Sequence, residues 1–136
     1  MKELTIEAKV ENLHQVLAFV DEYLESLGCP MKIQMQIDVA VEEIFVNVAS
    51  YAYTPSTGSV TLQLDSEPSP LSVSITFIDS GVPYNPLAKE DPDVTLSAEE
   101  RKIGGLGIYM VKKTMDSMTY EYKNQQNVLK LTKTIE

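Results

Sequence analysis

Apolar residues occupy every second position of residues 4–10, beginning with Leu4 and Ile6. A period of two predicts a strand with one buried face. The same interpretation applies to four later segments, residues 59–65, 71–79, 118–124 and 127–135. We therefore expect five strands, of which the last two form a hairpin that turns at Asn124–Gln126.

The segments between these strands have apolar residues at the spacing that is typical of helices. Apolar residues recur every three or four positions over residues 13–27, 30–51 and 105–117, which predicts three helices. Asn12 is placed to cap the first helix and Gly28 to end it. The order β-α-α-β-β-loop-α-β-β contains too few βαβ units for a doubly wound parallel sheet. The predicted fold class is an α+β two-layer sandwich, with a mixed, mostly antiparallel sheet and the helices on one face.

A long loop lies between the third strand and the third helix. From Ser80 to about Gly104 the chain shows little periodicity and holds three prolines. Loops of this length in a small domain are usually functional. We therefore expect this segment to contribute to a site.

The second helix carries the sharpest chemical signal. Glu43 and Asn47 are one turn apart, roughly 120° and 80° from the centre of the apolar stripe. Both therefore lie at its margin, where they can face a cleft, whereas Glu42 should be solvated. A carboxamide oxygen suits Mg²⁺, and a carboxylate can accept a proton or orient a water. A plain hydrogen-bonding pair on a helix surface remains the alternative.

Two glycine-containing segments add weaker signals. Asp79 ends an apolar strand directly before Ser80 and Gly81, which suits a hydrogen bond from an exocyclic amine such as that of adenine. Residues 104–107 lead into the third helix, whose first N–H groups could bind a phosphate. A commonplace turn and a hinge are the respective alternatives. Without a Gly-Lys-Ser/Thr sequence, residues 104–107 are not a Walker A loop.

Composition narrows the function classes. The chain has 136 residues, enough for one domain, and a net charge of -9, which disfavours phosphate-led binding of nucleic acid. It contains no apolar run of transmembrane length, and we expect no signal peptide and a cytoplasmic location. A single cysteine and a single histidine exclude a disulfide framework and a multi-histidine metal site.

Taken together, these segments resemble the GHKL ATPase superfamily with its Bergerat fold, and within it the anti-sigma-factor serine/threonine kinases. Glu43 and Asn47 match the N-box, Asp79, Gly81 and Pro83 the first glycine box, and residues 104–107 the second. The resemblance covers nearly the whole chain in order. It implies one ATP-binding domain over residues 1–136, with an ATP lid at about residues 83–104.

The resemblance also implies a role for each matching residue. Asn47 would coordinate the Mg²⁺ that bridges the ATP phosphates, and Glu43 would be the general base. Asp79 would bind the adenine amine, and Gly81 would let the ring approach. The phosphates would be bound by residues around the start of the third helix, namely Arg101, Lys102, Gly104, Gly105, Leu106 and Gly107.

The implied function is an ATP- and Mg²⁺-dependent serine/threonine protein kinase that regulates transcription by partner switching. Its partners would be a sigma factor or equivalent regulator and a small anti-anti-sigma protein as phosphoacceptor, with homodimerisation plausible from the family. Two alternatives stay open. One is a nucleotide-binding module that switches a partner without phosphotransfer, and the other is a scaffold that binds no nucleotide.

Overall fold

The structure is a computed structural model that describes residues 1–53, 56–86 and 105–135. It contains five strands and three α-helices within these residues. The strands are β1 (Lys2–Glu7), β2 (Ser59–Glu67), β3 (Ser72–Asp79), β4 (Ser117–Lys123) and β5 (Gln126–Thr134). The helices are α1 (Leu13–Ser26), α2 (Met31–Asn47) and α3 (Gly105–Thr114).

The strands form a single sheet in the order β1-β2-β3-β5-β4. All four neighbouring pairs are antiparallel, so the sheet is antiparallel where the sequence predicted a mostly antiparallel, mixed one. The reason lies in the two hairpins and in the placement of β5 beside β3, which together leave no parallel neighbours. The predicted α+β fold is confirmed.

The core lies between one face of the sheet and the helices. Alternate residues of β2, β3 and β5 are buried against apolar residues of all three helices. Each strand therefore buries the residues of one parity, as the period of two predicted. The largest side chains that are fully enclosed there include Phe45, Phe77, Leu24, Ile37, Ile44 and Leu131.

Helix α1 begins at the predicted residue, Leu13, and ends within one residue of the predicted end. Gly28 has a φ of 71°, and the N–H groups of Gly28 and Cys29 donate to the carbonyls of Glu25 and Leu24. This is the Schellman arrangement, which favours glycine. Asn12 occupies the predicted N-cap position, but its side chain makes no capping hydrogen bond. Its Nδ2 donates instead to the Glu7 carbonyl, because a 3₁₀ turn has already begun the helical rotation.

Helix α2 continues beyond its α-helical part into a wider π-helical turn, Val48–Ala52. The helical extent therefore agrees with the predicted end near residue 51. Such π-turns are often found beside functional sites. Here the Ala52 carbonyl at its end accepts a hydrogen bond from Val82 N at 2.9 Å. The turn thus joins α2 to the segment that follows β3.

The hairpin of β4 and β5 turns where the sequence predicted. Asn124 and Gln125 both have positive φ angles, of 53° and 62°. Two consecutive left-handed residues match the right-handed twist of the flanking strands. The resulting register places Asn127 opposite both Tyr122 of β4 and Asp79 of β3.

Candidate functional site

A cleft opens between α2, α3 and the ends of the central strands. Two predicted site residues, Asn47 and Asp79, line it from different elements. Most of its other walls are apolar or aromatic, as is usual for sites that hold a small organic ligand. They are Ile44, Val48, Tyr51, Ala52, Phe77, Val82, Tyr84, Pro86, Ile108, Tyr120, Asn127 and Leu129.

Asp79 is held in place at the end of β3. It is only 6% exposed, and its Oδ1 accepts hydrogen bonds from Gly81 N and Asn127 Nδ2, each at 2.9 Å. Both hydrogen bonds found for this carboxylate within the described residues go to the same oxygen. Oδ2 is therefore the atom that remains for a donor group on a ligand.

Asn127 organises the same end of the cleft. Its Nδ2 also donates to the Val82 carbonyl at 2.9 Å, and its Oδ1 accepts from Tyr84 N at 3.1 Å and from the Tyr120 hydroxyl. Asn127 is as deeply buried as Asp79. One carboxamide thus fixes the Asp79 carboxylate and the backbone that follows it, which limits reorganisation when a ligand binds.

Burial raises the pKa of the Tyr120 hydroxyl, and the nearby Asp79 carboxylate adds to the shift. The hydroxyl therefore stays protonated at neutral pH and donates to Asn127. Tyr53 is also held beside the segment after β3, because its hydroxyl donates to the Ser59 carbonyl at 2.6 Å and accepts from Ser80 N at 2.8 Å.

Gly81 is required by close backbone contact. A Cβ at this position would overlap the carbonyl oxygen of Ala52, at the end of the π-helical turn. Because that oxygen belongs to the backbone, it cannot move aside easily. The absence of a side chain therefore lets the segment after β3 pack against the helix end and form one wall of the cleft.

Asn47 presents an oxygen that could bind a metal ion. Its Nδ2 donates to the Glu43 carbonyl at 2.9 Å, and its Oδ1 has no hydrogen-bond partner among the described residues, so this oxygen is the free end of a side chain that lines the cleft. Magnesium is commonly bound by one or two protein oxygens together with substrate phosphates and water. Within residues 1–53, 56–86 and 105–135 no group of three acidic, cysteine or histidine residues is arranged to hold a metal ion. The donor set fits Mg²⁺ carried by a phosphate ligand.

Glu43 lies one turn before Asn47, against helix α3. A Cβ on Gly107 would overlap the Glu43 carboxylate, so the two residues are in close contact. Burial raises the pKa of Glu43, and the neighbouring Glu42 adds a smaller effect in the same direction. A half-buried carboxyl with a raised pKa accepts a proton more readily than a solvated one. Glu42 is exposed, as predicted.

The structure thus brings the predicted residues together in two groups. Asn47 and Asp79 line one cleft with Gly81 at its wall, while Glu43 contacts Gly107 beside it. Helix α3 begins at Gly105, followed by Leu106, so its first backbone N–H groups are those of the predicted glycine segment. Arg101, Lys102 and Gly104, with most of the predicted lid, lie outside the described residues.

Sequence reasoning missed Asn127, Tyr84 and Tyr120. Asn127 follows the parity of the buried residues Leu129 and Leu131 in β5, so a polar residue at an inward position was the available signal. Tyr84 forms an aromatic pair with Tyr51, with ring centroids 6.3 Å apart and an angle of 28° between the rings. No sequence pattern indicated that pair, since it joins the π-helical turn to the loop.

Comparisons with known proteins identify the family and agree with the fold. A family model described as histidine kinase-like ATPase domain matches residues 6–133. The serine/threonine-protein kinase BtrW of Bordetella bronchiseptica is 24% identical over 101 residues, which are 74% of this chain and 70% of that protein. A chain in the crystal structure of the SiaB-SiaC complex from Pseudomonas aeruginosa has a TM-score of 0.55 at 14% identity, covering 96% of this chain and 88% of that chain. This last likeness concerns the fold alone.

Proposed function

The chain belongs to the family of histidine kinase-like ATPase domains, and from this premise we propose that it is an ATP- and Mg²⁺-dependent serine/threonine protein kinase. A relative that bears that activity in its name supports the proposal. The cleft that contains Asn47 and Asp79, with Glu43 beside it, is the observation that carries it. ATP binding follows from the family, whereas phosphotransfer depends on the residues at the metal and acceptor end.

The adenine of ATP would occupy the apolar part of the cleft. Asp79 Oδ2 would accept a hydrogen bond from the exocyclic amine, because Oδ1 is already engaged by Gly81 N and Asn127. The faces of the ring would contact side chains such as Ile44 and Phe77. This combination of one oriented acceptor and apolar walls favours a purine that carries an amine.

The phosphates would lie toward α3. Bound Mg²⁺ would neutralise phosphate charge and align the γ-phosphate, and Asn47 Oδ1 is the protein oxygen that fits it. Backbone N–H groups at the start of α3, at Gly105, Leu106 and Gly107, would donate to the phosphates. Arg101, Lys102 and Gly104 stay predicted phosphate-binding residues, and residues 83–104 a predicted lid.

Glu43 would act as the general base. The acceptor Oγ–H would donate its proton to a Glu43 carboxylate oxygen as Oγ forms a bond to the γ-phosphorus, and the bond from that phosphorus to the bridging oxygen breaks to release ADP. The raised pKa of Glu43 suits this proton transfer. Its contact with Gly107 places it beside the helix end that would hold the phosphates.

The proposed biological role is partner switching in transcription control, as the family resemblance predicts. The chain would hold a sigma factor or an equivalent regulator and phosphorylate a small antagonist protein. A single ATP-binding domain over residues 1–136, homodimerisation and a cytoplasmic location are further parts of the proposal. No helix in the described parts of the chain has the length and apolar character needed to cross a membrane.

The test is phosphotransfer from γ-labelled Mg-ATP to candidate antagonist proteins of the same genome, with ADP release in the absence of acceptor as a second measurement. Glu43→Gln keeps the shape of the side chain and removes the base. We expect transfer to fall about 10²–10⁴-fold while Mg-ATP affinity, measured by calorimetry, changes little. The matched control is Glu42→Gln, an exposed neighbour on the same helix.

The pH dependence gives an independent check. The wild-type rate should rise with pH through a pKa that is raised from the ordinary value of glutamate, because the base must be deprotonated. Tight Mg-ATP binding without transfer to any candidate would favour the regulatory module that switches a partner without phosphotransfer. If the folded chain does not bind Mg-ATP at millimolar concentration, both the kinase and the regulatory module are contradicted.

A further inference from the structure

A second groove, distinct from the cleft, lies open to solvent between the outer faces of α2 and α3. Its walls hold Met31, Met35 and Val39 of α2 and Met110 of α3, which are 67%, 61%, 55% and 48% exposed. They are four of the nine large apolar side chains that are exposed within the described residues. Clustered, exposed methionines are typical of surfaces that bind other proteins.

The groove leads directly to the acceptor end of the site. Met31, Met35, Val39 and Glu43 follow one another at intervals of four along α2, so they form a slowly turning row on the helix surface. Met110 lies one turn beyond Gly107, which contacts the Glu43 carboxylate. From Met31 to Glu43 the row is about 18 Å long. A protein seated in this groove would reach Glu43 with one end.

The groove is mainly apolar, and its polar lining residues are Lys32, Gln36 and Thr114. Lys32 lines it near the start of α2, and the carboxylates of Glu42 and Glu43 lie beyond Val39. The groove wall itself contains no carboxylate among the described residues, although the whole chain has a net charge of -9. A partner with a carboxylate near Lys32 and a hydroxyl near Glu43 is complementary to this arrangement.

The exposed area favours a temporary partner. Four partly exposed side chains amount to a few hundred Å² of apolar surface. Permanent dimers bury roughly 2,000 Å² or more in total, whereas transient complexes bury less than about 1,200 Å². A protein substrate must leave after it has received its phosphate, which suits the smaller surface.

We infer that the groove between α2 and α3 is the docking surface for the phosphoacceptor protein, which presents apolar side chains beside its acceptor hydroxyl. This inference rests on the proposed kinase function. The apolar row binds the acceptor and places its hydroxyl next to Glu43. Met31, Met35 and Val39 contribute binding of the acceptor and do not touch the reacting atoms, whereas Glu43 at the end of the row does.

The first test locates the partner. Photoreactive p-benzoylphenylalanine is placed at Met35 of the full chain, expressed in the native host, and the matched control carries it at Val10, which is 53% exposed. We expect irradiation to link a protein to position 35 and not to position 10, and this purified protein to accept phosphate from Mg-ATP. A link only to a second copy of the chain, or no link, would overturn the inference.

The second test measures the contribution of the row. The double variant Met35→Gln/Val39→Gln adds no charge near Glu43 and should raise KM for the linked protein about 10-fold, with kcat and the Kd of Mg-ATP within twofold of wild type. Val10→Gln should leave all three unchanged, since Val10 and Val39 are almost equally exposed.

The outcomes separate the two proposals. If the double variant phosphorylates the linked protein with an unchanged KM, the docking surface is wrong and the kinase function stands. If the linked protein takes no phosphate from a chain that binds Mg-ATP, the assigned occupant is wrong, and the search with antagonist proteins decides whether any transfer occurs. A chain that binds no Mg-ATP contradicts the kinase itself.

Discussion

The two ends of the site differ in how completely they are organised before a ligand binds. At the Asp79 end, Asn127, Gly81 N and Tyr120 form a connected network of hydrogen bonds around one carboxylate oxygen. At the Glu43 end, the carboxyl is half-buried against Gly107 and its pKa is raised by burial. The first end is therefore organised to recognise a ligand, whereas in the proposed function the second end would gain its partners from the nucleotide, the metal and the acceptor.

This difference suggests that affinity and chemistry can be separated by mutation. Changes at the Asp79 end should alter nucleotide affinity, because rigid, satisfied networks contribute to binding with little reorganisation. Changes at the Glu43 end should alter phosphotransfer with little effect on affinity. The predictions below test this division, from the largest expected effect to the smallest.

Asp79→Asn should weaken Mg-ATP binding about 100-fold, measured by calorimetry. The substitution places an NH₂ group either at the acceptor position of Oδ2 or at the oxygen that accepts from Asn127, so one of these hydrogen bonds is lost. A hydrogen bond to a charged group contributes about 1.5–3 kcal/mol. Asp65→Asn, on the exposed part of β2, is the control and should bind as wild type. If Asp79→Asn binds with wild-type affinity, the base is recognised elsewhere and the division between the two ends fails.

Gly107→Ala should reduce phosphotransfer about 30-fold and leave the free energy of unfolding nearly unchanged. The new Cβ displaces only the end of the Glu43 side chain, and alanine favours the helix by up to about 1 kcal/mol. Gly81→Ala is the contrast at the other end. Its Cβ meets the Ala52 carbonyl oxygen, so we expect a loss of about 1–3 kcal/mol in chemical denaturation. Equal behaviour of the two variants would contradict the comparison.

Asn127→Ala should weaken Mg-ATP binding about 10-fold by freeing the Asp79 carboxylate to rotate. It also leaves the Val82 carbonyl and Tyr84 N without this partner, at a cost of about 1–3 kcal/mol in stability. Gln126→Ala, the preceding residue on the opposite face of β5, serves as the control. A variant that loses stability but keeps its affinity would show that Asn127 supports the fold and does not orient Asp79.

Asn127 also shows where sequence reasoning stopped. Periodicity predicted each element, because one face of every strand and helix must be buried in a single core. The spacing of Glu43 and Asn47 and the position of Asp79 were local features, so they too could be read from the chain. The carboxamide that joins Asp79 to Val82 depends on the register of β5 beside β3, and the aromatic pair depends on the π-helical turn. Parity marks Asn127 as an inward polar residue, but neither its hydrogen-bond partners nor the aromatic pair was predictable from the order of residues.

Asp38, whose carboxyl lies on the opposite side of α2 from Glu43, gives the smallest expected effect and serves as a control for Glu43. Burial, then the adjacent carboxyl of Asp21, raises the pKa of Asp38 to about 8, and Glu25 adds to the shift. Asp38 in turn contributes to the raised pKa of the Cys29 thiol. Oδ1 of Asp21 and of Asp38 are both buried without a donor from the described residues, which one shared proton would satisfy.

Because the pKa of Asp38 is higher in the folded state than the ordinary value near 3.9, the fold binds this proton more tightly than the unfolded chain does. Its contribution to stability is complete below about pH 4 and is lost as the pH rises toward 8. Since the side chain is only half-buried, solvent screening reduces the effect to about 1–2 kcal/mol.

Asp38→Asn should therefore flatten the dependence of unfolding free energy on pH between 5 and 8.5, measured by chemical denaturation. The control variant Glu22→Gln, on the exposed face of α1, should keep the wild-type slope. Phosphotransfer by Asp38→Asn should retain the pH dependence set by Glu43; if the rate profile moved with the stability profile, the two carboxyls of α2 would not act separately.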